Sequence, residues 1–215
     1  MPWLLIPFAF LLGSIPFGLL LGKLQGVDIR DHGSGNIGAT NVFRTLGKKP
    51  GTLCLFLDFC KGFIPVMIAK QFVPDGLLGN SIEVSTALAA ILGHNYSPWI
   101  GFKGGKGIAT SGGALSALMP GAVVILILVF TIVTFTTKYV SVGSIATAIA
   151  LPIVTIFGSH YHGKIADGTW NKPLFIFSLV AGALAVWKHR TNITRLRAGT
   201  ENKIGQGKEK NETHS

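Results

Sequence analysis

The chain has 215 residues, room for one ordinary domain or at most two. Hydrophobic residues make up 48% of it and charged residues only 13%, about half the charge of an average soluble domain, so a water-soluble globule is excluded and a polytopic membrane protein is indicated. Lys and Arg number 19 against 9 acids, a formal charge of +10, yet long uncharged apolar runs argue against nucleic acid as the partner of that charge.

Charge gaps mark the spans. No charged side chain precedes Lys23, and residues 2 to 22 read as a retained first helix with Gly18 and Gly22 available for close helix contact. A signal peptide would carry a basic leader, which this stretch lacks, and Pro2, Pro7 and Pro16 also speak against one. A second stretch runs from about Thr52 to Lys70, interrupted by Asp58 and Lys61, and a third from about Ile82 to Ile100, with His94 near its end. Cys54 and Cys60, six apart in the second stretch, point to different helix faces and offer neither a disulfide framework nor a metal site. Gly107 to Thr137 contains no formal charge, more than the roughly 20 residues that span the hydrocarbon. Further stretches run from Tyr139 to about Ser159 and from Pro173 to Trp187, the last of them short. Residues 1–204 are expected to form the membrane domain and 205–215 a polar, disordered tail.

The positive charge is concentrated. Lys23, Arg30, Arg44, Lys48 and Lys49 against Asp28 and Asp31 give +3, Lys103 and Lys106 give +2, and from Lys188 onward seven basic residues against three acids give +4. Basic segments face the cytoplasm, which leaves the N-terminus outside. The parity conflicts with this: two stretches separate the first and second basic segments, but three separate the second and third. One stretch must therefore split or re-enter, and the Gly112–Gly113 pair, Pro120 and the short final stretch are the places for it. The expectation is an all-α bundle of five to seven transmembrane or partly re-entrant helices with the active site at the cytoplasmic face.

The same three segments carry the unusual chemistry. The first, Gly33-Ser34-Gly35-Asn36-Ile37-Gly38-Ala39-Thr40-Asn41-Val42-Phe43-Arg44, is dense in glycine, hydroxyl and amide groups that can surround an anion, although ordinary polar turns use the same residues. The second contains Phe102-Lys103-Gly104-Gly105-Lys106-Gly107-Ile108-Ala109-Thr110, two ammonium groups beside unobstructed backbone amides at the start of an apolar helix. It is not a Walker A loop, because Lys106 is followed by Gly107 rather than Ser or Thr. The third, His189-Arg190-Thr191-Asn192-Ile193-Thr194-Arg195-Leu196 with Gly199 and Glu201, is a basic juxtamembrane stretch with amide donors.

Taken in order, these three motifs resemble the bacterial PlsY family of acyl-phosphate:glycerol-3-phosphate acyltransferases, and the resemblance covers Pro2 to about Gly205. It implies transfer of a fatty acyl group from acyl phosphate to the 1-hydroxyl of sn-glycerol 3-phosphate, giving lysophosphatidic acid and phosphate at the start of phospholipid synthesis. It implies that Ser34, Arg44, His189 and Asn192 are catalytic, that Asn36, Thr40, Asn41, Lys103, Gly104, Gly105, Lys106 and Gly107 bind substrate, and that Glu201 is structural. It implies no metal and no cofactor. The partners are the two substrates, membrane lipids and the soluble enzyme that makes acyl phosphate, and the location is the bacterial cytoplasmic membrane with the motif loops and the C-terminus inside.

The residues themselves agree with that chemistry. Two phosphate-bearing substrates bring roughly three to four negative charges, which Arg44, Lys103, Lys106 and the basic tail suit, and an acyl chain needs an apolar slot. Acyl phosphate is an activated mixed anhydride, so positioning of the attacking hydroxyl and stabilisation of the oxyanion are the main demands. Ser34 or Asn36 is expected to orient the hydroxyl, with a substrate phosphate oxygen or neutral His189 accepting the proton. His162 and Asp167 match the His-x4-Asp spacing of another acyltransferase superfamily, but without its later motifs. Asp58 and Lys61, three apart on one helix face, can neutralise each other in a structural or gating role; the favoured reading is that Lys61 snorkels and Asp58 bonds a neighbouring helix. The alternative function is a small transporter or channel for phosphorylated solutes, with the basic glycine-rich breaks lining a path.

Overall fold

Pro16 has no amide hydrogen with which to continue a helix, and it divides the first apolar stretch. In the computed structural model, which describes residues 2–74 and 76–205, a 3-10 turn at Pro2–Leu4 leads into α1 (Leu5–Ser14), and the chain resumes beyond Pro16 as α2 (Phe17–Lys23). The single helix expected over residues 2–22 is thus two pieces of one crossing. A break at membrane depth strands carbonyls that have no water to turn to. Neighbouring side chains take these up: Ser97 Oγ donates to the Ser14 carbonyl at 2.6 Å, and Lys61 Nζ donates to the Ile15 carbonyl at 2.7 Å.

After a short amphipathic α3 (Ala39–Leu46), the chain runs through α4 (Lys48–Phe72), α5 (Leu77–Asn95), α6 (Ile108–Leu118), α7 (Pro120–Thr137), α8 (Val140–Tyr161), α9 (Lys172–Lys188) and α10 (Arg190–Arg197). Pro2–Lys23, α4, α7 and α8 are each long and apolar enough to cross a membrane unaided. The uncharged stretch from Gly107 to Thr137 is not one crossing but two. Met119 leaves the helical region at φ −149° and ψ 66°, and Pro120, with its fixed φ, opens α7.

That break resolves the parity. α6 starts from the Lys103–Lys106 loop and has 11 residues, about 16 Å of helix. α7 comes back to the same end, because the α7–α8 junction meets the third basic segment: Ile204 N–H donates to the Lys138 carbonyl and Ser141 Oγ donates to Glu201 Oε1, both at 2.8 Å. Four helices, α6 to α9, therefore separate the second and third basic segments, and all three segments lie at one end of the bundle. With α4, α5 and the broken first helix, the described residues make seven passes along the bundle, four of them long and apolar enough to cross a membrane.

Glycine sets the tightest contacts. Gly13 of α1 lies on the Ala90 backbone of α5 while Gly93 of α5 lies on Phe10 of α1, and Gly62 of α4 and Gly113 of α6 make the same reciprocal pair with Thr110 and Phe59. A Cβ at any of the four would fall inside the facing backbone, the close approach that small residues allow between membrane helices. Gly18 and Gly22 chiefly admit the carbonyls of Ile37 and Val27 from the following loop, and Gly18 also lies against Val42 of α3. The outer face of α7 leaves Val124, Ile127, Leu128, Ile132 and Phe135 about half to two-thirds exposed, as a lipid-facing surface requires. The tail expected at 205–215 lies, apart from Gly205, outside the described residues.

One ion pair is buried in this bundle. Asp58 and Lys61 are each 2% exposed, with Lys61 Nζ 2.8 Å from Asp58 Oδ1. The snorkelling expected of Lys61 does not occur, because its ammonium points inward to the carboxylate and the Ile15 carbonyl. Removing one partner strands the other charge, a loss of about 3–5 kcal/mol, whereas replacing both with apolar residues is close to neutral. Thermal unfolding in detergent should accordingly show Asp58→Asn strongly destabilised and the double variant Asp58→Leu, Lys61→Met substantially recovered. Equal destabilisation of the two would remove the ion pair from this account.

Candidate active site

The glycine-rich first motif is a loop held by one buried side chain. Gly33 and Gly35 take positive φ of 60° and 69°, and the turn closes on Asn41, the third residue of α3. Asn41 Oδ1 accepts from Ser34 N–H at 2.8 Å, and its Nδ2 donates to the Ile29 and His32 carbonyls at 2.9 and 3.1 Å. Its polar capacity is thereby committed to the loop. Asn36 Oδ1 likewise accepts from Gly38 N–H at 2.9 Å, leaving its amide NH2 as the free donor. On α3 the i,i+4 spacing puts Thr40 and Arg44 on one face, and both reach the same cavity as Ser34.

The second motif is seated on the C-terminus of α5. Gly105 N–H donates to the His94 carbonyl at 3.0 Å. A Cβ on Gly104 would meet that carbonyl, one on Gly105 the His94 ring, and one on Gly107, at φ 81°, the Asn95 side chain. The glycines expected to bare amides toward an anion are needed here so that the loop can lie against α5. The result is to aim Lys106 inward and Lys103 outward. Lys106 Nζ donates to Asn192 Oδ1, and Asn192 Nδ2 donates at 2.6 Å to Glu201 Oε1. Glu201 also accepts from Ser141 Oγ and from Arg195 Nε, each at 2.8 Å, and so ties the chain beyond α10 to α8.

A cavity of about 160 Å³ results, bounded by Ser34, Asn36, Gly38, Thr40, Asn41, Arg44, Lys106, Gly107, His189, Asn192 and Glu201. Ten of the expected site residues, from all three motifs, thus meet around one hollow, whereas Lys103, Gly104 and Gly105 do not border it. Asp58, His94, Ser141 and Ser144 border it and were not expected to. Asp58 was visible as a charge in an apolar run, but the serines of α8 carry no comparable signal. His162 and Asp167 lie beyond α8, at the end remote from this cavity, where Asp167 accepts from Thr169.

Burial and charge set the protonation states. His189 is 2% exposed; its Nδ1–H donates to the Ala185 carbonyl at 2.7 Å, leaving Nε2 as the lone-pair nitrogen. Burial and the Lys106 ammonium push its pKa down to about 4, so the ring is neutral at pH 7. Burial likewise lowers Lys106 to about 8, against the partly compensating pull of Glu201. For Glu201, burial opposes ionisation, but the hydrogen bonds from Arg195, Asn192 and Ser141 outweigh it and hold its carboxyl below the usual range.

A second, apolar space adjoins the polar cavity. A groove of about 550 Å³ runs between α4, α6, α7, α8 and α9, lined by residues such as Phe56, Phe59, Leu115, Leu126, Ile127 and Leu151. Leu55, Ile108, Ala109, Phe130 and Ser144 border both spaces, so the two lie side by side.

Residues 3–199 match the family model described as glycerol-3-phosphate acyltransferase. The chain belongs to that family. It is 48% identical over 202 residues to a glycerol-3-phosphate acyltransferase of Desulforamulus reducens, covering 93% of this chain and 94% of the relative, and 44% identical over 201 residues to one of Aquifex aeolicus, covering 93% and 97%. Its fold matches the crystal structure of PlsY (YgiH), an integral membrane glycerol 3-phosphate acyltransferase, in the glycerol 3-phosphate form at a TM-score of 0.83 and 42% identity over 95% of this chain and 96% of that one. The lysophosphatidic acid form of that protein matches at a TM-score of 0.80, covering 95% of each chain.

Two outcomes follow from the geometry. Below about pH 8 the Lys106 ammonium is present to attract a phosphate, and above it the free protein loses that charge. Affinity for glycerol 3-phosphate, measured from pH 6.5 to 9.5, should fall as pH rises through 8, and Lys106→Arg should move the fall upward. Gly105→Ala, which drives the loop off the His94 ring, should raise the KM for glycerol 3-phosphate tenfold or more, since ångström-scale misplacement costs up to about a hundredfold in rate.

Proposed function

We propose that the chain transfers the acyl group of acyl phosphate to the 1-hydroxyl of sn-glycerol 3-phosphate, releasing lysophosphatidic acid and phosphate. The observation that carries this is the juxtaposition of a cationic cavity, bearing Arg44 and Lys106, with an apolar groove: phosphates suit the first, a fatty chain suits the second, and the reacting carbonyl belongs at the boundary they share. Solved relatives described with glycerol 3-phosphate and lysophosphatidic acid support the acceptor and the product. No comparable feature supports transport, because the donor-rich segments converge on one end of the bundle rather than along a path through it.

In the reaction, the hydroxyl oxygen attacks the acyl carbon, the bond from that carbon to the phosphate oxygen breaks, and the hydroxyl proton leaves. Ser34 and the Asn36 amide are placed to hydrogen-bond substrate oxygen, Arg44 and Lys106 to balance phosphate charge, and Asn192 to hold Lys106. His189 Nε2 accepts the hydroxyl hydrogen bond. An imidazole with a pKa near 4 is a weaker base than the departing phosphate, so His189 orients the hydroxyl and a phosphate oxygen takes the proton. Glu201 is a positioning residue acting through Asn192. The basic end of the bundle faces the cytoplasm of a bacterial inner membrane, within reach of a soluble enzyme that makes acyl phosphate.

Lysophosphatidate formation by purified protein, with acyl phosphate compared against acyl-CoA, tests this reading. Acyl phosphate should support turnover and acyl-CoA should not. Ser34→Ala should lower kcat by about 10²–10³ in a folded protein, as expected for loss of a donor to developing negative charge. His189→Gln should lower kcat without shifting the pH profile between 5 and 8; full activity would exclude His189 from the step, and efficient use of acyl-CoA would overturn the donor assignment.

A further inference from the structure

Lys103 belongs to the second motif yet does not border the reactive cavity. It lines a separate hollow of about 280 Å³, together with Tyr96, Phe102, Trp187, Lys188 and Arg190. The two hollows share two segments. One segment presents Lys106 to the first and Lys103 to the second, and the other presents His189 and Asn192 to the first and Lys188 and Arg190 to the second.

Three cations surround this hollow, and among the described residues none of them is ion-paired with a carboxylate. Two are fixed in place. Lys188 Nζ donates to the Asn95 carbonyl at 2.8 Å and sits 4.6 Å from the centre of the Tyr96 ring, while the Arg190 guanidinium lies 4.9 Å over Trp187. These contacts hold the heads while leaving donor hydrogens free and the charge uncompensated. An anion is the missing partner.

The surroundings say which anion. Trp99, Phe102 and Trp187 are 65%, 61% and 59% exposed at the basic end of a membrane bundle, where amphipathic rings sit at headgroup depth. Phe102 adopts φ 60°, a left-handed conformation rare for a residue of its size, beside the hollow. A soluble phosphate would gain nothing from exposed aromatic walls, whereas a lipid would lay its chains along them.

We propose that this hollow binds the phosphate of an anionic membrane phospholipid, held by Lys103, Lys188 and Arg190 behind the reactive cavity. The site depends on the membrane placement of the fold and is independent of the acyl donor. A lipid bound there would brace, from behind, the two segments that carry Lys106 and His189.

Native mass spectrometry of delipidated protein in a neutral detergent tests it, with phosphatidylglycerol and phosphatidylcholine titrated in parallel and thermal unfolding as the folding control. Wild type should retain one phosphatidylglycerol with at least about tenfold preference over phosphatidylcholine, given that each basic side chain near an anionic surface contributes severalfold. Excess glycerol 3-phosphate or inorganic phosphate should not displace it. Lys103→Gln with Arg190→Gln should bring the preference to within about twofold; if that variant unfolds, Lys103→Gln alone, at an exposed position, should reduce it about threefold. Displacement by glycerol 3-phosphate would assign the lipid to the reactive cavity, and displacement by phosphate alone would make this a free-phosphate site. Equal binding of the two lipids, or binding unchanged in the folded variant, would likewise overturn the proposal.

Discussion

The bundle is organised around a charge that has nowhere else to go. An ammonium in the interior of a membrane protein must be paired, and Lys61 is paired twice, with the Asp58 carboxylate and with the Ile15 carbonyl at the Pro16 break. That arrangement fixes α4 against the first crossing at the level where the helix is interrupted. Asp58 extends it: the His94 imidazole lies 3.7 Å from its carboxylate, and the His94 ring and carbonyl form the seat of the Lys103–Lys106 loop. A buried ion pair of doubtful value for stability is thereby coupled to the placement of Lys106.

Around this centre, glycine determines how near the helices come. The contacts of Gly13 and Gly93, and of Gly62 and Gly113, with the facing backbones bring α1 onto α5 and α4 onto α6 without side chains between them. α7, α8 and α9 stand further off, and the space left between them and α4 is the apolar groove. The polar cavity lies where that groove reaches the three motif segments. Lys106, Asn192, Glu201, Arg195 and Ser141 form a continuous chain of hydrogen bonds there, which lets a cation stay buried while remaining available to an anion.

Much of this was legible in the residues. The charge gaps located the apolar stretches, the +3, +2 and +4 segments marked the end of the bundle that carries the chemistry, and the parity conflict required a split that Pro120 supplies. The motifs named Ser34, Arg44, Lys106, His189 and Asn192, which do surround one cavity. Local pattern could not separate Lys103 from Lys106, because both are lysines beside glycines in one loop. Which of them turns inward depends on the His94 ring beneath Gly105, a contact made by another helix.

The sequence by itself determined that the chain is a membrane bundle, that one of its later apolar stretches is split, and which residue types gather at the reactive end, because solvation in hydrocarbon and the chemistry of proline, glycine and charge act on each segment separately. The tertiary structure alone decided that Asn41 supports a loop, that Asp58, His94, Ser141 and Ser144 border the cavity, that Lys61 points inward, and that the polar and apolar spaces adjoin. Each of those depends on the packing of residues from different helices, and that proximity has no signature in the order of residues along the chain.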